Sequence, residues 1–222
     1  YEGPYDAAGH VIGVDLPEES GDINDFSVRF SFDEDGEYLP ANAFGGTTNV
    51  GVQIVYYKVY ARQSGYDESQ LIASGSNTVT IRPHPLEIWA NNTNMVYGAE
   101  ASVPTYRVEG DLVGEDSPAV VLAYTNAIWN AGVYPDAITT NAPVVVTNAT
   151  GVDVSANYNV IFHPGTVTVS AKAVTLTSGT KTDILYDGAP HAFTNLTVQG
   201  FVAGEGLATT TGWATVTDVA EG

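Results

Sequence analysis

The chain has 222 residues, with 26 Asp or Glu against 7 Lys or Arg, for a net charge of −19. That balance excludes a nucleic-acid binder, because phosphate recognition needs clustered cations to displace counterions. Hydrophobic residues make up 44% and charged residues 15%, enough apolar material for packed cores, while the absence of cysteine removes disulfide frameworks, thiolate zinc sites and cysteine nucleophiles.

No apolar run reaches the roughly 20 residues of a membrane-spanning helix, so no membrane insertion is expected of this segment. The chain opens on Tyr1 instead of a basic, apolar leader and reads as an excised or mature segment. Alternation with a period of two dominates, which points to strands. In Phe26-Ser27-Val28-Arg29-Phe30-Ser31-Phe32 apolar and polar residues alternate, so the four apolar ones are expected to be buried and Ser27, Arg29 and Ser31 exposed. Asp33-Glu34-Asp35-Gly36 then supplies a turn and Tyr38-Leu39 resumes, which predicts a hairpin. Val52, Ile54, Tyr56 and Tyr60 share one face of a second long strand and Val55, Tyr57 and Val59 the other, which predicts a central strand covered on both sides.

Thr78-Val79-Thr80-Ile81 and Thr166-Val167-Thr168-Val169 share one pattern 88 residues apart, and each is followed by a four-residue connection. These are Arg82-Pro83-His84-Pro85 and Ser170-Ala171-Lys172-Ala173, after which Leu86-Glu87-Ile88 and Val174-Thr175-Leu176 restart a strand. Val96-Tyr97-Gly98 and Leu185-Tyr186-Asp187-Gly188 follow, with Tyr1-Glu2-Gly3 read as a third copy of the same turn. Self-similarity at this scale predicts tandem domains with separate cores, at 1–82 (lacking a leading strand), 83–170 and 171–222 (partial). The expected fold is mainly β: small antiparallel β domains, sandwich-like or, alternatively, a β-grasp-like sheet with one short helix. One helical turn is expected around Gly110-Asp111-Leu112-Val113-Gly114-Glu115-Asp116. Short connections stiffened by Pro83 and Pro85 predict an elongated rod.

At these residues the sequence resembles the extracellular tandem repeats known as MBG and YDG domains of bacterial surface proteins. The middle unit matches the MBG pattern in Pro85-Leu86-Glu87-Ile88-Trp89, Val96-Tyr97-Gly98, Gly110-Asp111-Leu112-Val113-Gly114-Glu115-Asp116, Asn157-Tyr158 and Pro164-Gly165-Thr166-Val167-Thr168-Val169. The third, through Tyr186-Asp187-Gly188-Ala189-Pro190-His191 and Val198-Gln199-Gly200-Phe201, is similar to the opening half of a YDG domain. The first resembles related surface repeats, although His10 lies seven residues after Gly3 where His191 lies three after Gly188. The resemblance implies an extracellular or cell-surface location, a stalk or adhesin role beside neighbouring repeats of a longer array, and no catalytic residues. It leaves the ligand unassigned; the candidate partners are a host protein or a glycan, and the rival reading is a dedicated binding module for one of these, carried by one unit.

Candidate chemistry is sparse. Asp33, Asp35 and Glu37 suggest calcium, yet Gly36 falls at the fourth loop position and not the sixth, so a solvated hairpin tip is favoured and no cofactor is expected. Asp15, Glu18, Glu19, Asp22 and Asp25 form a second acidic loop. His10, His84, His163 and His191 lack metal-ligand spacing and read as turn and junction residues. No Gly-x-Ser-x-Gly elbow or phosphate loop occurs, and no catalytic, cofactor or metal residue is assigned. Trp89, Trp129 and Trp213 read as core or junction packing ahead of sugar platforms, with Trp89 expected to plug the first junction. Lys58 is the one candidate donor for an internal Lys–Asn crosslink, and reads first as an exposed mid-strand lysine.

Overall fold

A computed structural model describes residues 1–16, 26–63, 66–126, 129–180, 182–192, 194–211, 213 and 215–217. Its strands are β1 (Glu2–Pro4), β2 (Phe26–Ser31), β3 (Leu39–Pro40), β4 (Gly51–Gln63), β5 (Tyr66–Arg82), β6 (His84–Ala90), β7 (Thr93–Val96), β8 (Tyr106–Glu109) and β9 (Ser117–Ala119). They continue as β10 (Leu122–Tyr124), β11 (Gly132–Thr140), β12 (Val145–Thr147), β13 (Tyr158–His163), β14 (Gly165–Ser170), β15 (Thr175–Ser178), β16 (His191–Ala192), β17 (Leu196–Gln199) and β18 (Thr215–Val216). The chain is mainly β, as its alternation predicts. Among the described residues no helix is long and apolar enough to cross a membrane.

Two compact units interleave along the chain. One comprises Tyr1–Asn91, Thr105–Ala123 and Thr139–Pro164, the other Asn92–Pro104, Tyr124–Ile138 and Gly165–Gly222. In the first, a five-stranded sheet runs in the order β1-β5-β4-β2-β3. The expected hairpin is present, with Phe30 opposite Leu39 across the Asp33–Gly36 turn. A three-stranded sheet places β6 between β13, parallel to it, and β8, antiparallel to it. Alternation along β6 sends Leu86 and Ile88 to full burial and leaves Glu87 and Trp89 on the opposite face. Leu86 and Ile88 share one hydrophobic cluster with Tyr5, Phe30, Val55, Val79, Ile81, Val146 and Tyr158. A single core thus takes side chains from both sides of Arg82.

The faces of the first sheet differ from the expectation. Val55 and Val59 are buried, whereas Val52 and Ile54 stand 69% and 47% exposed, so β4 is covered on one face over this stretch. Ser27 and Ser31, expected outside, are buried, and Phe32, expected inside, is exposed. The serine at 31 tolerates burial because its hydroxyl accepts the Asp33 amide, capping the turn, while Phe32 leans on Phe44 at a centroid separation of 4.4 Å. Phe44 ends α1 (Ala41–Phe44), a single turn closed by Gly45 in the left-handed region. The helical turn expected at 110–116 is instead an open loop with a tight turn from Val113 to Asp116, where Gly114 has φ of +59°. A short 3₁₀ turn lies at Ser155–Asn157.

In the second unit β7 pairs parallel with β14, which pairs antiparallel with β11. Val167 and Val169 are buried, occupying in β14 the places that Val79 and Ile81 hold in β5. Trp129 is buried between Tyr124 and Tyr134, edge-on to both. Gly98, at φ +76°, faces Val202 so closely that a Cβ there would come within 2.3 Å of the valine methyl. β15 pairs with β17 and β16 with β18, both antiparallel.

Candidate functional site

Of the residues that carry the resemblance in the middle of the chain, those of 110–116 and Asn157-Tyr158 meet inside the first unit. Tyr158, placed by β13, donates its hydroxyl to Asp116 Oδ2 at 2.6 Å and accepts the Val113 amide at 3.1 Å. Asp116 and Tyr158 are both buried. Tyr5 packs edge-on to Tyr158 and has Asp116 and Asn157 within hydrogen-bonding reach. His84 Nδ1 sits 3.2 Å from the Tyr5 carbonyl oxygen, and its ring is edge-on to Tyr158. Asn157 accepts the Val50 amide at 2.9 Å and donates to Asn49 Oδ1 at 3.1 Å. Burial, reinforced by Asp116, pushes the hydroxyls of Tyr158 and Tyr5 above the usual tyrosine range, so both stay neutral donors. A buried carboxylate satisfied by phenols joins loop 110–116 to β13 and the N-terminal segment. Local patterning gives no sign of this pairing; Asp116 and Asn157-Tyr158 stand together only among the residues that carry the resemblance.

The histidines at 10 and 191 sit in one local structure. In Tyr5-Asp6-Ala7-Ala8-Gly9-His10, Asp6 Oδ1 accepts the Ala8 amide at 2.9 Å and meets His10 Nε2 at 2.8 Å. In Tyr186-Asp187-Gly188-Ala189-Pro190-His191, Asp187 Oδ1 does the same with Ala189 at 2.9 Å and His191 at 2.8 Å. The residue after each aspartate has positive φ, +62° at Ala7 and +75° at Gly188. The first turn therefore begins at Tyr5 and not at Tyr1, which removes the mismatched histidine spacing. Glycine misled as a marker because Ala7 accepts the strained conformation itself.

Both aspartates are held below the ordinary carboxyl value of 3.8. For Asp6 the His10 hydrogen bond is the main cause; for Asp187 the Ala189 amide leads and His191 follows. A carboxyl lowered on folding contributes stability that is present above its unfolded pKa and lost as pH falls through its folded pKa, so both turns weaken at the acid end. NMR titration should place the Asp187 carboxyl below 3.8, and His191→Ala should raise it only part of the way because the amide remains. Titration of Asp187 at or above 3.8 would contradict the turn geometry.

Trp89 has neither ring face free. His163 lies parallel to it at 3.6 Å between centroids, and Arg107 approaches from the neighbouring strand on the other side at 5.0 Å. Glu87 and Glu109 stand opposite one another, a like-charge pair flanked by the His163 ring, with Nε2 at 3.2 Å from Glu87, and by the Arg107 guanidinium at 2.9 Å from Glu109. A sugar ring has no indole face to stack on at this position. Trp129 is buried, and Trp213 is half-buried.

At the acidic hairpin Asp33 Oδ1 accepts the Asp35 amide, so the turn itself uses this carboxylate. Of the second acidic loop, Asp15 is described and Glu18, Glu19, Asp22 and Asp25 lie outside the described residues. Among the described residues no three His, Asp or Glu side chains converge as a metal cage requires. Lys58 places its ammonium 3.9 Å from the centre of the Tyr38 ring. The second unit carries a groove of about 290 Å³ lined by Tyr97, Asn130, Lys172, Val174, Phe201 and Glu205 among others. The Glu205 carboxylate there accepts the Tyr97 hydroxyl. Set against protein-family models, curated proteins and solved structures, the chain gives no match.

Proposed function

We infer that the chain is a non-catalytic stalk or adhesion segment of a bacterial cell-surface or secreted protein, built from MBG- and YDG-like repeats at 1–82, 83–170 and 171–222. The observation that carries this reading is the use of the motif residues. Asp116 and Tyr158 spend their polar groups on each other and on the Val113 amide, and Asn157 spends its own on the Val50 amide and Asn49, so their chemistry goes into holding loops together. Recurrence of the Tyr-Asp turn with its histidine at 5–10 and 186–191 supports a repeated unit, whose boundaries then mark a recurring sequence pattern and not a division between cores. On this reading the chain extends as an elongated rod outside the cell.

The groove beside Tyr97 and Phe201 favours a second reading, a carbohydrate- or host-protein-binding module carried by one repeat, because aromatic walls with a few polar groups suit a small ligand. An array of glycans and host proteins probed with the full chain separates the two. A spacer gives no signal above an acidic control protein of similar charge. A hit abolished by Phe201→Ala would replace the spacer reading with the binding module.

A further inference from the structure

We propose that β5 is a docking edge for a second copy of this chain, paired antiparallel about a twofold axis at Gly75. The inference is independent of the stalk reading, because it rests on the backbone of one strand.

β5 pairs with β4 in unbroken register from Ile81 opposite Gly51 to Ala73 opposite Val59, and then shifts by one residue. Its other edge is covered by β1 at Thr80–Arg82. The Thr80 amide donates to Tyr1 and the Arg82 carbonyl accepts from Tyr5, so residues 80 and 82 turn their polar groups outward. With strict alternation, the outward groups farther along the strand belong to Thr78, Ser76 and Ser74. Asn77 Oδ1 takes the Thr78 amide at 2.8 Å and ends the ladder there. Among the described residues nothing pairs with the outward groups of Ser74 and Ser76.

Exposed edges are normally guarded by charge, proline or a bulge. The thirteen residues from Ser69 to Ile81 contain no charged residue and no proline, in a chain of net charge −19 with 11 prolines, and the register shift at Ile72 lies outside the Ser74–Ser76 stretch. The same hairpin exposes Val52, Ile54, Leu71 and Ile72, each 47–69% accessible. Two features select a second copy as the occupant. A twofold axis at Gly75 sets Ser74 opposite Ser76 of the copy, so each strand supplies the donors and acceptors the other lacks. Gly75 has no side chain to obstruct the crossing, and the Tyr57 ring already fills the space beside it. The stretch is also neutral, so two acidic molecules meet where repulsion is least, and physiological salt screens the remainder beyond about 8 Å. An isologous contact of this kind closes at two.

Sedimentation velocity on the intact chain, from about 5 to 500 µM, suits the weak affinity of so small an interface. The mass should rise from 23.4 kDa toward twice that value. Ser76→Pro removes one outward amide and should hold the monomer mass throughout. Ser74→Asp, which keeps the amide but faces like charges across the axis, should do the same while its circular dichroism matches the parent. A constant monomer mass for the parent, a rise that survives both substitutions, or growth past the dimer would overturn the proposal.

Discussion

Truncating Tyr158 to alanine is expected to lower the unfolding free energy by about 3 to 5 kcal/mol, the usual cost of deleting a buried aromatic. The ring packs against Tyr5 and His84, and its hydroxyl holds Asp116 and the Val113 amide. Tyr158→Phe separates these contributions. It keeps the packing but strands a buried carboxylate oxygen and a half-buried amide, at about 1 to 3 kcal/mol. If the hydroxyl acts through Asp116, Asp116→Ala should cost less on the Tyr158→Phe background than on the parent, with a coupling of at least about 0.5 kcal/mol in a double-mutant cycle. Urea titration measures all four proteins. Additive losses would show that the two side chains are neighbours without being partners.

The second large effect concerns the shared core. Leu86 is fully buried, and Leu86→Ala should cost about 2 to 5 kcal/mol. Because Leu86 packs in one cluster with Val55, Val79 and Ile81, the loss should also appear as faster amide exchange at Val55 and Val79, across the boundary expected at 82/83. Faster exchange confined to β6 and its partner strands would mean that the two sides of Arg82 are stabilised separately.

Strands were legible in this sequence because alternation is a local property. The strand from Phe26 and the hairpin after it form where alternation places them, although Ser27, Ser31 and Phe32 reverse the expected faces. The buried face of β4 was not legible, since Val52 and Ile54 are as apolar as Val55 and Val59 and only the arrival of Leu86 and Ile88 from later in the chain decides between them. Burial of Ser31 was hidden for a related reason: its hydroxyl is matched by the Asp33 amide, which hydropathy does not register. The Tyr158–Asp116 pair spans 42 residues of sequence, so no periodicity signals it. The aspartate–histidine turns were within reach, because Tyr-Asp at 5–6 and 186–187 stands the same distance before a histidine, but a glycine-centred reading fixed the phase on Gly3.

Solution X-ray scattering at concentrations where the chain is monomeric tests the stalk reading most directly. A compact body of 222 residues has a radius of gyration of about 17 Å, whereas a rod about 105 Å long gives about 30 Å. The stalk reading predicts a value near the larger figure. A monomer near the smaller one would contradict it and turn attention to the groove beside Tyr97 as the working part of the molecule.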